Sequence, residues 1–474
     1  MDGKARSDDL TPEQGAHLAA VKSDLLCACS VDVDHWYDSQ GQSLPGSVHH
    51  AMTNSATQWF SPAPSEVTSS RISLDFNLRA ADLFFRELVV PELGRVWFVR
   101  QLSWPLAALA LYEELASRGS GAPKPTAICH GIEALACKLQ YLDAPEDPSP
   151  RILGRRAFGR DVERELWSFD RLRQPANYVR NTHRQAATRA LRVDGGLGFA
   201  RGSRFDLLGL TDVGKELADA FLSQKVGKPA LRDWLVGWVR GEKDVPVKRP
   251  KLTEVLSPDS PTPEEREVVR RRLFDVSSLE SEKRHHLAVA IGRAADLPNV
   301  GNVVVERLRD AGRRKQADEV VAAFAFGAVL DRARGVVAKL TRAIEPERGG
   351  VQLAKLAHAP ALKRAMKDLR AIAVGYAQKA DAANVAEPAS RAFADAVAAA
   401  NDCDAIKLVV SRAGEVLGLA DGSVVRGALF RVIDATHDVA DPEEGSAEPD
   451  WTGRTFRIAN LHALMRDVDQ RGAR

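Results

Sequence analysis

Val320, Phe324, Leu330, Val337, Leu340 and Ile344 follow one another at helical intervals and trace one apolar face along a single long helix. From Glu264 to Leu417 similar stripes recur, and no β-rich run interrupts them. This part of the chain reads as packed helices, each burying one face against a neighbour. The paired Ala-rich helices leave a helical-repeat arrangement open, although no fixed period stands out. Helix starts are written in two further places. Thr11-Pro12-Glu13-Gln14 and Thr262-Pro263-Glu264-Glu265 each offer a Thr N-cap, Pro at the first helical position, and an acid or amide placed to close a capping box. Each is expected to open the first helix of a domain.

A chain of 474 residues exceeds the roughly 250–300 that one core organises, so two or three domains are expected. Asp143 to Pro150 carries three prolines in eight residues and marks one boundary. Gly241 to Pro263, with Pro246, Pro250, Pro258, Pro261 and Pro263, reads as a linker. The expected organisation is an N-terminal helical domain (1–150), a middle domain (151–240), the linker (241–263) and a C-terminal helical domain (264–474). Within the first, 31–70 is rich in Ser, Pro, His and Trp and reads as a long irregular segment. Helices are predicted over 74–118, bent or interrupted at Pro91 and Pro105, and over 127–142. An acidic stretch, 441–450, precedes a last helix, 456–468, expected to dock back onto the domain.

Composition narrows the class without naming a function. Apolar residues at 45% and charged residues at 27% fit an ordinary soluble globular chain. The net charge of +2 excludes a globally polycationic or polyanionic protein, so any electrostatic partner must be met locally. Arg outnumbers Lys 48 to 18, which suits bidentate phosphate contacts and is also what a GC-rich genome produces. Five scattered cysteines do not make a disulfide framework. No apolar run follows the basic residues near the N-terminus, and none approaches the roughly 20 residues of a membrane span. The expectation is a cytoplasmic protein with reduced thiols and no membrane partner.

One stretch carries a specific signal. Asp161–Leu172 has helical pattern, Gln174-Pro175-Ala176-Asn177 forms a turn, and Tyr178–Leu191 reads as a second helix with a polar outer side. Two short strands, 195–200 and 204–210, would turn at Arg201-Gly202-Ser203. Leu210-Thr211-Asp212-Val213-Gly214-Lys215-Glu216-Leu217 then opens a closing helix with Thr211 as N-cap. Residues 151–205 hold 13 Arg and no Lys against five acids, the charge concentration a phosphate backbone selects.

This order of helix, turn, polar helix, hairpin and L-T-x-x-G-x-x-L helix resembles the winged-helix DNA-binding domains of bacterial regulators, over about 70 residues. The resemblance implies a recognition helix carrying Arg180, Asn181, Thr182, Arg184, Gln185 and Arg189, and a wing tip carrying Arg201 and Arg204. It further implies insertion of that helix into the major groove, with phosphate or minor-groove contact by the wing.

Other clusters carry less. Cys27-x-Cys29, and Cys129-His130 with Cys137, lack the paired spacing of a tetrahedral zinc site. Asp32, Asp34 and Asp38 beside His35 could hold a divalent cation and support a metal-dependent nuclease, but more often mark a solvated loop. His130, Glu133 and Lys138 fall on a predicted helix and are expected at its surface. His49-His50 and His285-His286 are adjacent pairs that point apart. There is no P-loop and no G-x-S-x-G elbow. The expectation is a mainly α multidomain protein with a central winged helix, non-enzymatic and without cofactor. It would bind double-stranded DNA and contact protein partners through its N- and C-terminal helical domains, as a regulator or DNA-engaging accessory subunit of a bacterial assembly, one handling foreign DNA included. The alternative is a scaffold whose winged helix contacts a partner protein.

Overall fold

The computed structural model describes residues 74–119, 121–158, 167–243, 245, 250–292, 300–347, 349–430, 432 and 456–469. All of them belong to one compact unit, Ser69–Arg474. The Thr11 helix start, the 31–70 segment, Cys27, Cys29, Asp32, Asp34, His35, Asp38, His49-His50, residues 161–166 and the acidic stretch 441–450 lie outside the described residues.

The described residues are mainly α, about 66% helical, with two small sheets. Helix α1 (Arg79–Val89) stops just before Pro91, whereas Pro105 lies within α2 (Arg100–Ser117), which continues through it. Pro125 occupies the first turn of α3 (Pro125–Asp143), where its missing N–H costs nothing. Two single turns follow, α4 (Arg155–Phe158) and α5 (Phe169–Leu172), and then α6 (His183–Leu191). Strands β1 (Ala200–Arg201) and β2 (Gly209–Leu210) pair antiparallel, with Ala200 opposite Leu210. They lead into α7 (Asp212–Leu222), where the Thr211 hydroxyl accepts from Gly214 N at 3.1 Å, the N-cap its sequence predicts. Helix α8 (Leu231–Val239) completes this part.

Where a linker is expected, 241–263, the structure holds helix α9 (Pro250–Leu256), with Leu252, Val255 and Leu256 buried. Its prolines start and stop a helix instead of keeping the chain extended. Helix α10 (Pro263–Leu273) opens with the predicted capping box, Glu265 N donating to Thr262 Oγ1 (3.1 Å) and Thr262 N to Glu265 Oε2 (2.8 Å). Helices α11 (Leu279–Ile291), α12 (Val300–Asp310) and α13 (Arg314–Ile344) follow, the last being the long helix read from the apolar stripe. Strand β3 (Val351–Gln352) precedes α14 (Leu353–His358), α15 (Pro360–Ala382), α16 (Pro388–Ala399) and α17 (Asp402–Ser411).

Within 264–417, read as helices without a β-rich run, the two-residue β3 is the one strand among the described residues, and its sheet partners begin where that range ends, at Leu417. Strands β4 (Leu417–Ala420) and β5 (Ser423–Arg426) form a hairpin, and β3 pairs on the free edge of β5. Asp421 and Gly422 both have positive φ, 48° and 71°, the two-residue turn that an Asp-Gly pair favours.

Buried aromatic rings join distant segments: Phe85 of α1 stacks on Phe326 of α13 at 4.7 Å, and both meet Tyr376 of α15. The last helix, α18 (Ile458–Asp469), docks back as expected, and it does so on early segments as well as late ones. Asp467 accepts from Val99 N at 2.8 Å and pairs with Arg151 at 2.9 Å, while Arg270 of α10 reaches Asp469 at 2.8 Å. Arg100 of α2 is fully buried against Glu265 of α10 (3.1 Å) and donates to the Val255 carbonyl (2.7 Å). Residues on both sides of the two proline-rich breaks thus share one core. No helix among the described residues is long and apolar enough to cross a membrane.

Candidate nucleic-acid interface

Helix α6 starts at His183, so the expected helix over Tyr178–Leu191 is shorter than its pattern suggests. Tyr178 and Val179 are buried ahead of it, after a 3-10 turn at Pro175–Asn177, and Arg180 and Asn181 lie in the segment leading into the helix. The start is fixed from another helix. Fully buried Glu133, on α3, accepts His183 N at Oε2 (2.9 Å) and Arg184 N at Oε1 (2.8 Å). An α-helix leaves its first N–H groups without intrahelical partners and carries partial positive charge there, so a carboxylate in that place is doubly favoured. On the helix itself, Gln185 Oε1 accepts Thr182 N at 3.0 Å.

Titratable groups gather round this junction. Burial pushes the Glu133 carboxyl up to about 7, against the pull of Arg184 and of the two amides. The Cys129 thiol, one turn away, donates to Glu133 Oε1 at 3.3 Å and is itself pushed well up by burial and by that carboxylate. His183 is held down to about 4 by burial and is neutral. Its Nε2 lies 3.0 Å from the Arg151 carbonyl, which can only accept, so Nε2 carries the proton and Nδ1 accepts from Gln101 Nε2 at 3.2 Å. His130 is likewise held down to about 4 by burial. The Cys137 thiol meets the Tyr178 hydroxyl at 3.3 Å. His130, Glu133 and Lys138 are therefore buried and not at the helix surface as expected; the Lys138 ammonium lies 4.7 Å from the Trp167 ring centre. Among the described residues, no group of three His, Cys, Asp or Glu side chains could hold a metal ion.

The inner side of α6 is closely packed. Ala186, Ala187, Ala190 and Leu191 are buried, and Arg95 N donates to the Ala186 carbonyl at 3.1 Å. Gln185 and Arg189 are exposed on the outer side, with Arg184 half-buried between. The Arg189 guanidinium pairs with Glu87 of α1 at 3.1 Å, and Glu87 also binds Arg457. The hairpin is shorter than expected, because Phe205–Leu207 forms a 3-10 turn between the strands. That turn reaches α6 directly: the Arg184 guanidinium lies 5.1 Å from the Phe205 ring centre, a cation–π distance. Arg201 and Arg204 are exposed on the same connection.

Of the eight residues that the winged-helix resemblance singles out, Arg180, Gln185, Arg189, Arg201 and Arg204 are exposed, and Asn181 and Arg184 are half-buried. Thr182 is buried at the helix start. Sequence reasoning named Glu133 but placed it at the helix surface, and so missed that it seats the start of α6. No family model, curated protein or solved structure matches this chain.

Proposed function

We propose that this chain is a non-enzymatic protein that binds double-stranded DNA through the outer side of α6 and the β1–β2 turn, as a regulator or DNA-engaging accessory subunit. One observation carries the reading, the contact of Arg184 with Phe205, which sets the helix beside the turn. Exposed arginines from both then belong to one basic region able to follow a phosphate backbone. The test is duplex binding across a salt series, wild type beside an Arg180/Arg189/Arg201→Ala variant. Counterion release makes log K fall linearly with log salt, with a slope of about −0.9 per phosphate neutralised. The variant's slope is expected to be shallower by about 2–3. Folded protein that binds no duplex at low salt overturns the reading.

A second reading, a scaffold whose α6 surface meets another protein, is favoured by one observation. Glu133 already fills the helix N-terminus that would otherwise face a phosphate, and the Gln185 amide oxygen and Arg189 are engaged as well. It predicts a stable protein complex that the Arg180/Arg189/Arg201→Ala variant weakens, and no affinity for DNA.

A further inference from the structure

The turn between β1 and β2 is anchored on all sides but one. Asp206 Oδ1 accepts from both the backbone N and the hydroxyl of Thr126, at 2.7 and 2.6 Å, in the first turn of α3. Phe205 and Leu208, on either side of the Asp206–Leu207 pair, are buried. Leu207 N donates to the Arg204 carbonyl at 2.9 Å. Gly202, at φ +130°, lies so close that a Cβ there would come within 2.7 Å of the Leu207 carbonyl oxygen. The backbone of Leu207 is thus held by its neighbours and by another helix.

Against this fixed frame the Leu207 side chain is 70% exposed, more than any other large apolar side chain among the described residues. A scattered surface leucine needs no explanation. This one differs because the Asp206–Thr126 and Leu207–Arg204 hydrogen bonds and the close approach of Gly202 fix where its backbone sits, and because Arg201 and Arg204 are exposed beside it. One rigid apolar tip with guanidinium groups at its base is too little apolar area for a membrane face and has the wrong charge for an acid-poor apolar groove. It matches a slot about 6 Å wide, walled by phosphates and floored by stacked bases.

Resting on the DNA-binding reading above, we propose that the β1–β2 turn enters the minor groove and that Leu207 acts as a wedge, inserting at a base step while Arg201 and Arg204 meet the flanking phosphates. Insertion buries the leucine between bases and partly unstacks one step, and pyrimidine–purine steps give way most easily. Sequence preference would then arise at a position that no polar side chain reads.

The experiment uses the full chain, duplexes carrying 2-aminopurine at successive positions, and a salt series. Wild-type binding is expected to raise 2-aminopurine fluorescence at one step. Leu207→Ala should lose that rise and weaken binding about tenfold at every salt concentration, with an unchanged salt slope. Leu207→Met, also apolar, should keep both signals, and Arg201→Ala/Arg204→Ala should instead make the slope shallower by about 2. Because Leu207 is exposed, unchanged melting temperatures serve as the check on folding. If wild type binds but Leu207→Ala retains its affinity and the fluorescence rise, the wedge is wrong and the DNA-binding reading stands. If wild type binds no duplex at low salt, the DNA-binding reading itself falls and the wedge with it.

Discussion

Glu133 and His183, fifty positions apart in the chain, meet at 2.9 Å, carboxylate oxygen to backbone amide, and through this contact one helix determines where another begins. The same carboxylate takes Arg184 N, so a single side chain from α3 satisfies two amides of α6. Replacing it with alanine leaves two buried donors without partners. Glu133→Ala is expected to destabilise the fold by about 2–4 kcal/mol in urea titration. Glu133→Gln, which keeps an acceptor and removes a buried charge, should cost less.

The same junction gives stability a defined pH dependence. Glu133, raised from 4.5 to about 7, holds its proton more tightly in the fold than in the unfolded chain. Its contribution is complete below pH 4.5 and is lost as pH rises through about 7. His183 and His130, lowered from 6.5 to about 4, act in the opposite sense, contributing above pH 6.5 and losing that contribution as pH falls through about 4. Between pH 4.5 and 6.5 two histidines oppose one glutamate, so these groups together make stability rise with pH. Urea midpoints from pH 4.5 to 6.5 should show that rise, and Glu133→Gln should steepen it. A variant with a shallower acid limb than wild type would contradict the assignment.

The pair Arg100–Glu265 is buried on both sides, and Arg100 also donates to the Val255 and Ser260 carbonyls. Removing one partner strands a charge in the core. Arg100→Ala or Glu265→Ala alone should cost about 3–5 kcal/mol, measured by thermal or urea unfolding. Arg100→Met/Glu265→Leu together should recover much of that loss, because an apolar pair of similar volume leaves no buried charge behind.

Gly214 explains why the closing helix of the hairpin carries a glycine at the fifth position of its L-T-x-x-G-x-x-L motif. A Cβ there would fall well inside van der Waals contact with the Phe199 carbonyl oxygen, where the start of α7 presses on the residue before β1. Alanine is favoured over glycine in a helix by about 1 kcal/mol, and overpacking a tight contact costs about 1–3 kcal/mol. With backbone on both sides of the clash the second effect wins. Gly214→Ala is expected to lower the melting temperature, and Lys215→Ala, one residue on, should not.

What the sequence made legible was local. The Thr211 and Thr262 caps and the stripe of α13 depend on residues a few positions apart, and all three stand where expected. The β4–β5 hairpin was equally local, with Asp421-Gly422 between Leu-Gly-Leu-Ala and Ser-Val-Val-Arg, but the helical periodicity on its N-terminal side masked it. The start of α6 could not be read locally, since the group that ends the irregular run before His183 comes from Glu133 on α3. Burial of His130, Glu133 and Lys138 was hidden for a related reason. His130 and Glu133 recur at the spacing of a solvent-facing stripe, and what covers that stripe, Tyr178 with the His183 and Arg184 amides, comes from a distant segment.

Glu87 stands between two arginines, Arg457 immediately before the docked C-terminal helix and Arg189 on the outer side of α6. The first is buried and the second more than half exposed, at 4% and 54% of the side chain. Should a polyanion draw Arg189 away, Arg457 remains to balance the carboxylate, and no naked negative charge is left facing the newcomer. Arg189 is therefore an exchangeable cation, released without recoil by a partner that stays in place. The seat of α18 and the availability of that guanidinium are joined through one carboxylate.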